Sequence, residues 1–250
     1  MKILGFENLG NTCYVNSVLQ CFMYNEDFQE LVKSDTNLSQ LVNVINGKPG
    51  KFDLKLFINS FGKFKKFEQQ DAHEFITDLL DKINDTHHFY HGQTKNIVKC
   101  TNCKTIKNIY ENFNSINLNV NISVINSFLD YLKKETHNDP YNLYYCETCK
   151  CNQISKKKII LNILPKNLII VLKRYLVKKN DFIIDTVLNI KNGGNIVIYN
   201  LISVINHIGN ENNGHYTTTI VNEKVTVDDN RLFKFSNYND AYILFYSQSE

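Results

Sequence analysis

Apolar residues recur at every third or fourth position through the first ninety residues. Val15, Val18, Leu19 and Phe22 share one helical face. Leu38, Leu41, Val42 and Ile45 repeat the pattern, as do Leu54, Phe57, Ile58 and Phe61. The strongest stripe runs over 70–83, with Ala72, Phe75, Ile76, Leu79, Leu80 and Ile83 on one side. Gly47-Lys48-Pro49-Gly50 separates two of these helices. From Gly92 the period changes. Alternating and β-branched runs at 159–164, 168–172, 195–204, 216–221 and 241–246 predict strands, with one short helix over 123–132. The pattern predicts a single α+β domain over 1–250. It has a mainly helical lobe (1–91), an insertion (92–157) and a mainly β lobe (158–250). A cleft between two such lobes is a favoured place for an active site.

Composition narrows the class. With 43% hydrophobic and 21% charged residues, the chain of 250 residues has enough apolar surface to fold. A net charge of +3, with arginine only at Arg174 and Arg231, argues against a nucleic-acid or membrane surface as partner. No run of about 18 apolar residues suggests a membrane span. Met1-Lys2-Ile3-Leu4-Gly5-Phe6 contains no hydrophobic signal core. Four of the seven cysteines form CxxC pairs, which points to metal binding and free thiols in the reducing cytosol or nucleus.

Cys13 ends a Gly-bearing polar loop, Gly5-Phe6-Glu7-Asn8-Leu9-Gly10-Asn11-Thr12, directly ahead of the first helical stripe. A helix N-terminus favours negative charge, and a nearby imidazole adds to the effect, so the position suits a thiolate nucleophile. The histidine chosen as its partner is His215, in Asn213-Gly214-His215-Tyr216 at the start of a predicted strand. The chain turns near Asn222-Glu223-Lys224 and returns as Val225-Thr226-Val227-Asp228-Asp229, a hairpin that brings Asp228 back beside His215. A carboxylate there can orient the ring. His73, His87, His88, His91, His137 and above all His207 compete for the role. Asn8, five residues before Cys13, can donate to an oxyanion, as can the Cys13 N–H.

Cys100-Thr101-Asn102-Cys103 and Cys146-Glu147-Thr148-Cys149 supply four thiolates, the donor set of a closed, structural Zn²⁺ site. Cys151 is left as a spare thiol and Cys21 as a core residue. No organic cofactor is expected. Asp71 and Glu74, one turn apart, cap the 70–83 helix or pair with a basic peptide tail.

In this order the motifs resemble the ubiquitin-specific protease family. Residues 5–20 resemble its cysteine box, and Gln69-Gln70-Asp71-Ala72-His73-Glu74-Phe75 resembles its Gln-Gln-Asp-Ala-x-Glu-Phe segment. The CxxC pairs resemble its zinc-bearing fingertips, and 164–175 the strand after the fingers, with Tyr175 where Phe is commoner. Gly214-His215-Tyr216 and 241–246 resemble its histidine box and closing strand. The resemblance implies a papain-like hand with helical thumb, β palm and β fingers, cleaving after the C-terminal Gly-Gly of ubiquitin. Ubiquitin and ubiquitinated proteins are then the partners, and a monomer is expected. Cys13, His215 and Asp228 form the implied triad, with Asn8 beside them and Asp229 sharing the part of Asp228. Gln70, Asp71, Glu74, Gly214 and Tyr216 are implied to meet the ubiquitin tail, under the 209–214 loop. The His215–Asp228 hairpin is short for the family, and few residues precede the cysteine box, so a minimal catalytic core is expected. Three other readings stand beside this one: a non-catalytic ubiquitin-binding module, a protease for another modifier ending in Gly-Gly, and a zinc-ribbon nucleic-acid binder.

Overall fold

The computed structural model describes residues 3–46, 48, 52–64, 68–83, 89–174, 182–210 and 213–249. Gly47, Pro49, Gly50, His87, His88 and Tyr175, all cited above, lie outside the described residues, as do two positions of the 209–214 loop.

The helical stripes become α1 (Cys13–Met23), α2 (Glu26–Leu31), α3 (Thr36–Ile45), α4 (Leu54–Asn59) and α5 (Ala72–Ile83). Short polar residues set several of their starts. Asn25 Oδ1 accepts from Phe28 N at 3.1 Å, and Asp53 Oδ1 accepts from Leu56 N at 2.9 Å. Asp71 caps α5 by accepting from His73 N at 2.7 Å. The β half opens with β1 (Gly92–Cys100), β2 (Ile106–Phe113) and β3 (Ile116–Asn119). Then come α6 (Val124–Tyr131), capped by Ser123, and the short strands β4 (Glu135–His137), β5 (Tyr144–Cys146) and β6 (Cys151–Gln153). The remaining strands are β7 (Ser155–Ile163), β8 (Asn167–Lys173), β9 (Val187–Asn192), β10 (Asn195–Gly209), β11 (Gly214–Ile220), β12 (Val225–Asp228), β13 (Arg231–Lys234) and β14 (Ala241–Gln248).

The large sheet runs β13-β12-β11-β10-β14-β8-β3, with β9 paired to β10. Only the β3–β8 pair is parallel among the described strands. Both faces of this sheet are covered at β8, which lies between β14 and β3, so Asn-Leu-Ile-Ile-Val-Leu-Lys is a nearly continuous apolar run without alternation. Ile169 and Val171 pack with Ile243 and Phe245 against the helices, while Leu168, Ile170 and Leu172 pack with Val124 and Phe128 of α6 on the other side. A separate sheet, β2-β1-β7-β4, extends past residue 157 to Ile163, and Leu161 of β7 and Phe113 of β2 join its base to this core. Seven of the eight β2 residues are exposed, which explains why no buried-strand pattern marks that segment in the sequence.

The helix following Cys13 departs from the one-sided stripe predicted above. Every residue of α1 is buried, including Asn16, Ser17 and Gln20. The helix lies between the other helices and the large sheet, and part of its polar side finds partners there. Thr218 Oγ1 of β11 donates to the Ser17 carbonyl at 2.8 Å, and Gln20 donates to the Leu4 carbonyl. Burial pushes the Cys21 thiol up to about 12, against hydrogen bonds from Ser203 and Thr218 that lower it. Cys21 is thus an inert wall residue.

Candidate active site

Because α1 lies along β11, the first residue of one element meets the second residue of the other. The His215 ring is hydrogen-bonded to Cys13, whose own residue surface is only 5% exposed. The β11–β12 register sets Thr218 opposite Val227, which makes Asp228 the diagonal same-face neighbour of His215. Nε2 of the ring lies 2.5 Å from Asp228 Oδ1 and donates to it, leaving Nδ1 for the thiol. The imidazole is pushed up to about 9: the bond to Cys13 raises it most, partial burial opposes, and the bond and charge of Asp228 add to the rise. A ring so held keeps its proton through neutral pH and can deliver it to a leaving group.

The loop before Cys13 is organised around Asn8. Its Oδ1 accepts from Gly10 N at 3.0 Å and Thr12 N at 3.2 Å. Gly10 (φ 102°) and Asn11 (φ 53°) are both left-handed, which folds the loop tightly enough for those bonds. Thr12, the N-cap of α1, gives the helix no side-chain bond; its Oγ1 instead accepts from Leu9 N at 2.9 Å. The positive end of α1 is thereby left for whatever develops beside Cys13.

Asp229 takes a place different from that of Asp228. Its Oδ2 accepts from Asn8 Nδ2 at 2.9 Å, its Oδ1 from Asn16 Nδ2 at 2.7 Å, and its carbonyl from Phe6 N at 2.9 Å. It ties the Asn8 loop and α1 to the β12–β13 turn, where its own φ is 50°. Gly5 fits against that turn because a Cβ there would come within 2.4 Å of Asn230 Cα.

The residues implied to meet a tail have these surroundings. The Tyr242 hydroxyl donates to both Asp71 oxygens, at 3.1 and 2.9 Å. Glu74 is exposed and faces Lys63 at 3.3 Å; Gln70, the residue before Asp71, precedes α5. Tyr216 is buried, its ring 4.5 Å from that of His207. His207, the rival histidine, is buried on β10 directly behind Gly214, where a Cβ on residue 214 would lie 2.1 Å from its Nε2. His73 is turned to Ser115 Oγ at 2.8 Å, and burial lowers its pKa; His137 sits on β4 in the separate sheet.

A family model described as ubiquitin carboxyl-terminal hydrolase matches residues 4–246. The chain belongs to this family. It is 27% identical over 226 residues to ubiquitin carboxyl-terminal hydrolase 12 of Salmo salar, covering 68% of this chain and 60% of that protein. It is 26% identical over 305 residues to ubiquitin carboxyl-terminal hydrolase 23 of Arabidopsis thaliana, covering 97% of this chain and 35% of that protein. The chain therefore spans between about a third and three fifths of the length of these curated relatives. Among solved structures it superposes with TM-score 0.81 on a chain of the SAGA Ubp8/Sgf11/Sus1/Sgf73 DUB module bound to ubiquitin aldehyde. That match has 21% identity and covers 99% of this chain and 70% of that one. A second, from the module with Ubp8(C146A) bound to monoubiquitin, gives 0.79 at 22% identity, covering 99% and 69%. The expected α+β, papain-like fold is thus the one observed.

In this member of the ubiquitin carboxyl-terminal hydrolase family the CxxC pairs form two matching knuckles. Cys100 ends β1 and Cys146 ends β5, and each second cysteine is followed by a left-handed lysine, Lys104 (φ 65°) or Lys150 (φ 56°). The Sγ atoms of Cys100 and Cys149 are 3.9 Å apart, those of Cys103 and Cys146 3.5 Å, and all four lie within 4.8 Å of one another. Tetrahedral zinc with Zn–S bonds of about 2.3 Å needs sulfurs about 3.8 Å apart, so the four thiols fit such an ion. Cys151 stands outside the cluster, exposed, its sulfur accepting from Gln153 Nε2 at 3.0 Å.

Two residues at the site escape sequence reasoning. Asn16 reads as one polar position of α1, yet it holds Asp229 across 213 residues of chain. Gln69 reads as loop, yet it pairs with Gly214: its Nε2 donates to the Gly214 carbonyl at 3.0 Å, and its Oε1 accepts from Gly214 N at 3.1 Å. Its place at the head of the Gln-Gln-Asp-Ala-x-Glu-Phe resemblance is a signal, but it assigns Gln69 no partner. Neither role follows from periodicity.

Proposed function

We propose that the chain is a thiol-dependent deubiquitinase that hydrolyses the isopeptide or peptide bond after the C-terminal Gly-Gly of ubiquitin. The observation that carries this reading is the row formed by Cys13, His215 and Asp228 at the N-terminus of α1. Cys13 passes its thiol proton to His215, and its Sγ attacks the carbonyl carbon of the terminal glycine. The new oxyanion takes hydrogen bonds from Asn8 Nδ2 and the Cys13 N–H, both at the uncapped end of α1. As the C–N bond breaks, His215 gives its proton to the departing amine and a thioester remains. Water then attacks the thioester, His215 takes a proton from that water, and collapse releases the ubiquitin carboxylate and the Cys13 sulfur. Asp228 holds the ring in place through both steps. Asp229 acts through Asn8.

Asp71, Glu74 and Gln70 are assigned to the basic tail, with Gly214 and Tyr216 as the facing wall of a channel too narrow for side chains. The chain divides into a thumb (1–91), fingers (92–157) and palm (158–250). Cys100, Cys103, Cys146 and Cys149 hold a structural Zn²⁺, which fixes the fingertip and takes no part in the chemistry. Free thiols at a metal site suit a reducing compartment, cytosol or nucleus. Among the described residues no helix is long and apolar enough to cross a membrane. The chain is assigned as a monomer, although the solved chains it resembles sit in four-protein assemblies; sedimentation of the purified chain checks this.

The test is cleavage of a ubiquitin–fluorophore conjugate. Cys13→Ala should abolish turnover while ubiquitin binding survives. Unchanged turnover in that variant would refute the mechanism.

A further inference from the structure

The pairing of Gln69 with Gly214 has the geometry of a strand contact. In an antiparallel hydrogen-bonded pair, one residue exchanges both its N–H and its C=O with a single partner residue. Gln69 does this with a side-chain amide, at 3.0 and 3.1 Å. Gly214 is available because β12 pairs only with Thr218, Thr219 and Ile220, so residue 214 lies past the end of that ladder. Its peptide groups point away from β10, whose hairpin bond runs from Asn210 N to the Asn213 carbonyl one residue earlier. His207 closes the face behind Gly214 so tightly that no Cβ fits. The result is an open, rigidly backed peptide edge directly beside His215, occupied by an exposed glutamine from the helical lobe.

Resting on the proposal that an extended tail reaches Cys13 along this wall, we propose that Gln69 is a placeholder for that tail. It pairs with Gly214 in the free protein, and the tail's own backbone replaces it on binding, by addition to a strand edge. Gln69 is a specificity-determining residue in this account. Only a segment able to offer a backbone N–H and C=O in register, with no side chain to strike the wall, recovers the two bonds that entry breaks.

Gln69→Ala and Gln69→Asn, the second too short to reach, both leave Gly214 open. In a Cys13→Ala background, calorimetric titration should show free ubiquitin binding about fivefold tighter to either variant, because two neutral hydrogen bonds no longer compete. Ubiquitin lacking its last residues should bind all forms equally. Hydrogen exchange of the Gly214 amide, read without ubiquitin, should accelerate in both variants. Weaker binding of intact ubiquitin by both variants would overturn the proposal, since Gln69 would then be assisting the tail. Unaltered Gly214 exchange would also overturn it, since the pairing would be absent in solution. Neither readout depends on turnover. A failure of the deubiquitinase reading appears separately, as an inactive wild-type chain.

Discussion

The seam between α1 and β11 and the pair of cysteine knuckles solve opposite problems. At the seam, groups up to 224 positions apart in the numbering, from Gly5 to Asp229, are brought together at the edge of a covered core. Several polar side chains there bond across elements, as Thr218 does with Ser17 and Asn16 with Asp229. At the knuckles each half-site is a four-residue turn, and the adjoining strand β2 is exposed along nearly its whole length. Little core there fixes the geometry, so the proposed ion would have to do it. A site made by packing is rigid without a ligand. One made by turns would depend on the metal proposed for it.

That contrast can be broken at either end. The largest effect is expected at the oxyanion loop. Asn8→Ala removes a donor and one of the bonds that hold Asp229, and kcat should fall about 100- to 1000-fold. A loss under tenfold, measured in the same ubiquitin–fluorophore assay, would mean that packing around α1 does not aim Asn8 at the reaction. The next effect is metal removal. Chelation should raise KM by roughly tenfold and make amides of β5 and β6 exchange freely, while those of α1 and β11 stay protected. Simultaneous loss of protection in both regions would erase the distinction between them.

The smallest effect is on pH dependence. The His215 pKa is raised, so the proton needed by the leaving amine is present at neutral pH and is lost as pH rises through about 9. The alkaline limb of kcat should therefore lie near pH 9. Asp228→Asn removes a bond and a charge that raise this pKa, so the limb should move to lower pH as well as the rate falling. The same sign governs stability. The contribution of the charged ring is complete below the ordinary histidine range and fades between there and pH 9. An Asp228→Asn limb displaced upward would contradict the assigned contact.

Legibility in the sequence follows the same division. The knuckles are local, and their spacing points to the four cysteines that the fold brings together. Cys13 is legible as a helix start after a Gly-bearing loop, and His215 with Asp228 as two ends of one hairpin. Asn16 and Gln69 are silent because their partners lie 213 and 145 residues away. The all-round burial of α1 is silent too: an apolar stripe reports one covered face, whereas the far side of α1 is covered by a sheet that accepts hydroxyls and amides. Strand β2 shows the reverse. With both faces open, it has no alternation to reveal it.

The central claim is that the sulfur at position 13 is the group activated by the imidazole of β11. Its most direct measurement is the intact mass and peptide map of the chain after reaction with ubiquitin carrying a C-terminal electrophile. The account predicts one ubiquitin added, attached at Cys13, and none added to Cys13→Ala or His215→Ala. An adduct on Cys103, Cys149 or the exposed Cys151, or undiminished labelling of His215→Ala, would contradict it.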